Sequence, residues 1–166
     1  AAALLLLGPF VPLLFMGEEY GETRPFLYFV DHGDEELQRA VREGRRREFA
    51  AFGWRGEVPD PTSPDTFAAS RLLRPDAGAA PNAGLQALYT ELLRLRRDEP
   101  ALRPGGAEAV ATGPRPGTVQ LRLKHPSSSL LVLFQIGESE DELEIASRGT
   151  WQLCLDTEAA SFGGTG

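Results

Sequence analysis

The chain opens on seven apolar residues, Ala1 to Leu7, and Gly8-Pro9 then stops them, because proline's ring and missing N–H cannot continue a helix. The pattern predicts the last turns of a buried helix. Val11 to Met16 follows as a short run apolar on both faces. This suits a strand of a parallel sheet covered by helices, and helix followed by buried strand is α/β grammar. Gly17-Glu18-Glu19-Tyr20-Gly21 ends the run with two carboxylates and an aromatic, and the stretch from Pro25 to Asp31 carries Phe26, Tyr28 and Phe29.

Asp34 is placed to cap a helix from Glu35 to about Phe52, with Glu35 and Glu36 in its first turn. Trp54 to Arg74 contains Pro59, Pro61 and Pro64 and reads as loop. A second helix starts near Asn82. Leu85, Leu88, Tyr89, Leu92 and Leu95 recur at helical spacing, arginines fill the last turns, and Pro100 follows. Gly and Pro then accumulate up to Thr118, as in a passage to a second unit, with the boundary near Arg103. Beyond it the period becomes two. Val119, Leu121 and Leu123 alternate with polar residues, Leu130 to Ile136 is more apolar, and Leu143/Ile145 and Trp151/Leu153/Leu155 alternate again. An antiparallel sheet, half of a small β-sandwich, is the expected arrangement.

At 166 residues and 42% hydrophobic the chain can bury a core. Its net charge of -7 disfavours a nucleic-acid partner despite the run Arg45, Arg46, Arg47. A lone Cys154 and the lack of metal-ligand spacing predict neither disulfide, metal nor cofactor, and suit a reducing, cytoplasmic setting. The apolar start is broken by Gly8, Pro9 and Pro12 and lacks a basic leader, so no membrane span is expected. Opening on Ala1 and closing on Ser161 to Gly166 without a final strand, both ends read as cut.

Pro12-Leu-Leu-Phe-Met-Gly-Glu-Glu19 resembles the eighth-strand motif of the α-amylase superfamily, in which a proline opens the strand and Gly-x-Glu closes it; the usual Gly two residues before the proline is Phe10 here. The neighbourhood narrows the match: Phe15-Met-Gly-Glu-Glu-Tyr-Gly21, Pro25-Phe26, Asp31-His32, Glu43-Gly-Arg-Arg-Arg-Glu-Phe-Ala-Ala-Phe-Gly-Trp54 and Val58-Pro-Asp-Pro61. Together they resemble the malto-oligosyltrehalose trehalohydrolase branch of the α-amylase-type glycoside hydrolase family, over nearly the whole chain. The resemblance implies that residues 1–103 form the C-terminal end of a catalytic (β/α)8 TIM barrel, with its last strand and helix. Residues 104–166 would be a truncated C-terminal β-domain.

The implied reaction is hydrolysis of the α-1,4-glucosidic bond beside the terminal trehalose of malto-oligosyltrehalose. Its retaining chemistry needs a carboxylate nucleophile about 5 Å from a general acid. The resemblance puts these groups after earlier strands, upstream of Ala1, so no residue here is expected to be catalytic and the chain alone is expected to be inactive. Glu18, Tyr20, Phe26, Tyr28, Asp31 and His32 are the candidate substrate-binding residues, since sugars stack on aromatic faces while carboxylates and His bind hydroxyls. Core or lid packing is the competing role for these aromatics. Glu19 is expected to pair structurally with a barrel arginine, and Arg45, Arg46 and Arg47 to support the site through ion pairs near Glu43 and Glu48. A glycogen branching or debranching enzyme is the second reading. A non-catalytic glycan-binding or structural β-module is the third, weakened by the scarcity of aromatics after residue 100 (Phe134, Trp151 and Phe162).

Overall fold

The computed structural model describes residues 1–73, 82–137 and 149–166. The chain forms two compact units, one of Ala1–Tyr20 with Ala79–Gly166 and the other of Gly21–Gly78.

In the first unit, α1 (Ala2–Leu6) is ended by Gly8-Pro9 as the sequence requires, and Leu6 and Leu7 are buried. Helix α4 (Ala83–Asp98) starts where Asn82 Oδ1 accepts the N–H of Leu85 at 3.1 Å, and it turns Tyr89 and Leu92 inward. After a 3-10 turn at Pro100–Leu102 come three antiparallel strands: β1 (Glu108–Thr112), β2 (Thr118–His125) and β3 (Ser128–Gln135), in the order β1-β2-β3. The two-residue turn Pro126-Ser127 pairs His125 with Ser128, and this sets Leu121 opposite Val132 and Leu123 opposite Leu130. One face of the sheet is therefore apolar. Leu121, Leu123 and Val132 close a single core with Leu6, Leu7, Tyr89, Leu92, Ala101 and Leu102.

Two polar devices lock this unit. Arg96 reaches back from α4 to the carbonyls of Leu6 (2.6 Å), Gly8 (3.0 Å) and Phe10, acceptors that α1 leaves unpaired at its C-terminal end. Gly84 lets the backbone of Phe162 approach α4 so closely that a Cβ there would lie 2.5 Å from the Phe162 carbonyl oxygen.

In the second unit, α2 (Glu35–Ala51) begins at Asp34, whose carboxylate accepts the N–H groups of Glu36 and Leu37. Helix α3 (Pro64–Ala69) has Ser63 as its cap and Pro64 in its first turn, where the missing N–H costs nothing. Pro61, Thr66 and Ser70 are buried, while α2 buries no side chain completely.

The structure corrects several expectations. Val11–Met16 is not a strand: among the described residues no other strand pairs with it, and Val11 and Leu13 are 80% and 88% exposed. A strand exists only through a neighbour's hydrogen bonds, so apolar patterning alone does not make one. Trp151 to Asp156 likewise has no partner strand, and Leu143 and Ile145 lie outside the described residues. The β-region is one three-stranded antiparallel sheet, consistent with part of a C-terminal β-domain; no second sheet faces it among the described residues, and its apolar face packs on α1 and α4. Glu108–Thr112, expected as a Gly/Pro passage, is edge strand β1, and α3 sits inside the expected 54–74 loop.

Candidate functional site

The expected site residues fall in both units. In the first, Gly17 takes a positive φ of 93° and the chain winds into a 3-10 turn over Glu18–Tyr20. This replaces the strand end expected after Val11 to Met16. Both carboxylates fold back on their own chain: Glu18 Oε2 accepts the N–H of Phe15 at 3.1 Å and Glu19 Oε2 that of Gly17 at 3.0 Å. Neither is poised as an acid/base pair. Tyr20 is buried, Glu18 is exposed and Glu19 half-buried. The turn packs on α4 near Tyr89, whose phenol is pushed above its ordinary pKa, first by burial and then by the Glu18 and Glu19 charges.

In the second unit the loop before α2 is an extended strap held at both edges. The N–H of Leu27 donates to Ser70 Oγ at 3.0 Å, and the N–H of Val30 donates to the Pro61 carbonyl at 2.8 Å. Between these ties Tyr28 and Phe29 face different helices. Phe29 packs edge-on against Phe67 of α3 (centroids 5.1 Å apart) and against Phe26 (6.2 Å). Tyr28 turns to α2, where the Arg45 guanidinium lies 5.0 Å from its ring centroid and 4.9 Å from that of Phe49. Phe26 and Tyr28 remain 52% and 45% exposed, enough to offer flat faces outward. Asp31 is exposed and His32 half-buried, its carbonyl accepting a hydrogen bond from Gln38 Nε2. Of the arginine run, Arg45 pairs with Glu48 at 2.6 Å, Arg47 donates weakly to the Glu43 carbonyl at 3.4 Å, and Arg46 is exposed.

Sequence reading missed the groups that shape this unit. Arg42 on α2 donates to Asp60 Oδ1 and to Thr62 Oγ1 (3.1 and 2.8 Å), and Thr66 Oγ1 donates to the Asp60 carbonyl at 2.6 Å. The N–H of Thr62, with Arg42 beside it, holds the Asp60 carboxyl below the ordinary aspartate range. Glu22 ties the start of the strap to the segment after α3, accepting the N–H groups of Arg24, Leu73 and Thr23, and these donors lower its pKa. The clue was present in Asp60-Pro-Thr-Ser63, a turn-forming string before a helix-starting Pro64. An open cleft of 540 Å³ in the first unit, lined by Thr90, Glu91, Cys154, Asp156 and Phe162 among others, contains none of the expected site residues.

No family model matches the chain. A malto-oligosyltrehalose trehalohydrolase of Arthrobacter ramosus is 46% identical over 132 residues, 74% of this chain and 23% of the relative. The enzyme of that name from Deinococcus radiodurans is 40% identical over 140 residues, 83% of this chain and 23% of the relative. A solved structure from Salmonella typhimurium, assigned as an alpha amylase, matches with a TM-score of 0.66 at 40% identity, covering 82% of this chain and 24% of that one. The chain thus spans about a quarter of the length of the proteins it matches. Fold and sequence together define it as a segment of α-amylase-type glycoside hydrolase architecture. Within that class, at these identities, the chain belongs to the malto-oligosyltrehalose trehalohydrolase family.

Proposed function

We propose that the chain is the C-terminal part of a glycosidase that cleaves the α-1,4-glucosidic bond adjacent to the terminal trehalose of malto-oligosyltrehalose, releasing trehalose and a shortened malto-oligosaccharide. The observation that carries this reading is the 46% identity over 132 residues with the Arthrobacter ramosus trehalohydrolase. The largely exposed apolar segment Val11 to Phe15, leading into the Gly17–Tyr20 turn, supports it. A last barrel strand has this character when its neighbours come from elsewhere in the sequence. In this reading residues 1–103 finish a (β/α)8 barrel, residues 104–166 form a C-terminal β-domain, and the enzyme works in the cytoplasm on α-glucans.

The nucleophile and acid of a retaining mechanism lie before Ala1. The chain's own contribution is binding: Glu18, Tyr20, Phe26, Tyr28, Asp31 and His32 contact sugar, with Glu19, Arg45, Arg46 and Arg47 as their supports. The isolated chain has no hydrolase activity. Product analysis on malto-oligosyltrehalose and on glycogen tests the reading. Trehalose from the first substrate supports it, whereas chain remodelling of glycogen alone supports the branching-enzyme alternative. The binding-module alternative requires residues 104–166 alone to retain starch.

A further inference from the structure

The ring of Tyr28, an expected sugar contact, is held by a charged side chain that is itself tethered. Arg45 lies over the rings of both Tyr28 and Phe49 at about equal distance, 5.0 and 4.9 Å, so its planar guanidinium bridges the strap and α2. Glu48, one turn on, holds that guanidinium at 2.6 Å. Phe49 is in turn backed edge-on by Trp54, centroids 6.0 Å apart. The strap's backbone is pinned on either side of Tyr28 by Ser70 and Pro61. Backbone and ring are thus both constrained, while 45% of the residue remains open to solvent.

We propose that Arg45 is a positioning residue: stacked between Tyr28 and Phe49 and tethered by Glu48, it presets the Tyr28 ring as a flat platform for a glucosyl ring of an α-glucan. The physical gain is pre-organisation. An exposed tyrosine on a loop samples several rotamers and loses that freedom when a sugar stacks on it, whereas a ring already fixed on one face by a guanidinium has little left to lose. Lysine can supply the charge but not the planar, Glu48-anchored fork. Arg39, exposed on the same helix, has no such ring contact among the described residues and serves as the control. The inference rests on the α-glucan reading of the site.

The test is titration of the full chain with maltotetraose, read by NMR at the Tyr28 ring resonances and by Trp54 emission. The wild type is expected to show a saturable shift at Tyr28, and Tyr28→Ala to lose binding. Arg45→Ala should weaken binding roughly three- to tenfold, the loss expected for one partly exposed cation–π contact and its ordered rotamer. Arg45→Lys and Glu48→Gln should fall between, with melting temperatures equal to that of the wild type. Arg39→Ala should bind as the wild type does. If Arg45→Ala does not fold, the Arg45→Lys and Glu48→Gln variants carry the decision. Unchanged affinity in the folded Arg45 and Glu48 variants, with a saturable shift in the wild type, overturns the positioning role and leaves the glucan reading standing. No saturable shift at Tyr28 in the wild type overturns the proposal outright, and the trehalose-release assay then decides separately whether the glycosidase reading survives.

Discussion

Replacing Arg96 with methionine keeps most of the side chain's apolar stem and removes only its hydrogen bonds. Arg96 is half-buried and donates to the carbonyls of Leu6, Gly8 and Phe10. Leu6 ends α1 and Gly8 and Phe10 follow it, so no intrahelical donor reaches these carbonyls. A hydrogen bond from a charged donor contributes about 1.5–3 kcal/mol when its partner would otherwise be left unpaired. Phe10 is exposed and water can replace the lost donor there; the two part-buried acceptors remain, so Arg96→Met should cost about 2–4 kcal/mol. For a chain of this size that is a drop of roughly 5–12 °C in melting temperature. Arg97→Met is the control: its exposed pair with Asp98 is screened by solvent, and its loss should leave stability unchanged. Urea denaturation gives the free energies, and amide exchange at Leu5 and Leu7, whose N–H groups bond to Ala1 and Ala3, locates the loss in α1. Equal effects of Arg96→Met and Arg97→Met would refute the locking role.

Leu92 is fully buried among Leu6, Leu102 and Leu123, so Leu92→Ala should destabilise the first unit by about 3–5 kcal/mol in the same denaturation assay; a loss under about 1 kcal/mol would mean that the core is not packed as described. Gly84→Ala raises helix propensity by about 1 kcal/mol yet should lower stability, because the new Cβ meets the Phe162 carbonyl at 2.5 Å; a raised melting temperature would contradict that close approach. Because the folded pKa of Asp60 is depressed, its contribution to the second unit is complete above the ordinary aspartate value. It disappears as pH falls from about 4 through the lower folded value. Asp60→Asn should remove that acid-side slope, measured by amide exchange at Thr62 and Thr66 between neutral pH and acid.

Helices were legible wherever caps and spacing agreed: Asp34 and Asn82 mark the starts of α2 and α4 to within a residue. The β2–β3 pair followed from the alternation of Val119, Leu121 and Leu123 and the apolar run Leu130 to Ile136. What failed was strand assignment for segments whose partners are not among the described residues, Val11–Met16 and Trp151–Asp156, since pairing is a property of two segments and patterning of one. Strand β1 hid because Glu108-Ala-Val-Ala-Thr112 is exposed throughout and so carries no alternation. The aromatic strap was visible as composition, but its anchoring was not. Ser70 and Leu27 are 43 positions apart, as a hydrogen bond between polar and backbone groups allows and local periodicity does not record. Arg45 was recognisable as a support by its ion-pair spacing to Glu48, whereas its place over the Tyr28 ring required the fold.

The central claim is that this chain serves a trehalose-releasing glycosidase, and the most direct measurement is to express the complete product of the encoding gene and analyse what it forms from malto-oligosyltrehalose. The account predicts free trehalose and a correspondingly shortened malto-oligosaccharide, with no product from the 166-residue chain alone. Intact malto-oligosyltrehalose after prolonged incubation with the folded complete product, or remodelled glycogen without any trehalose, would contradict it.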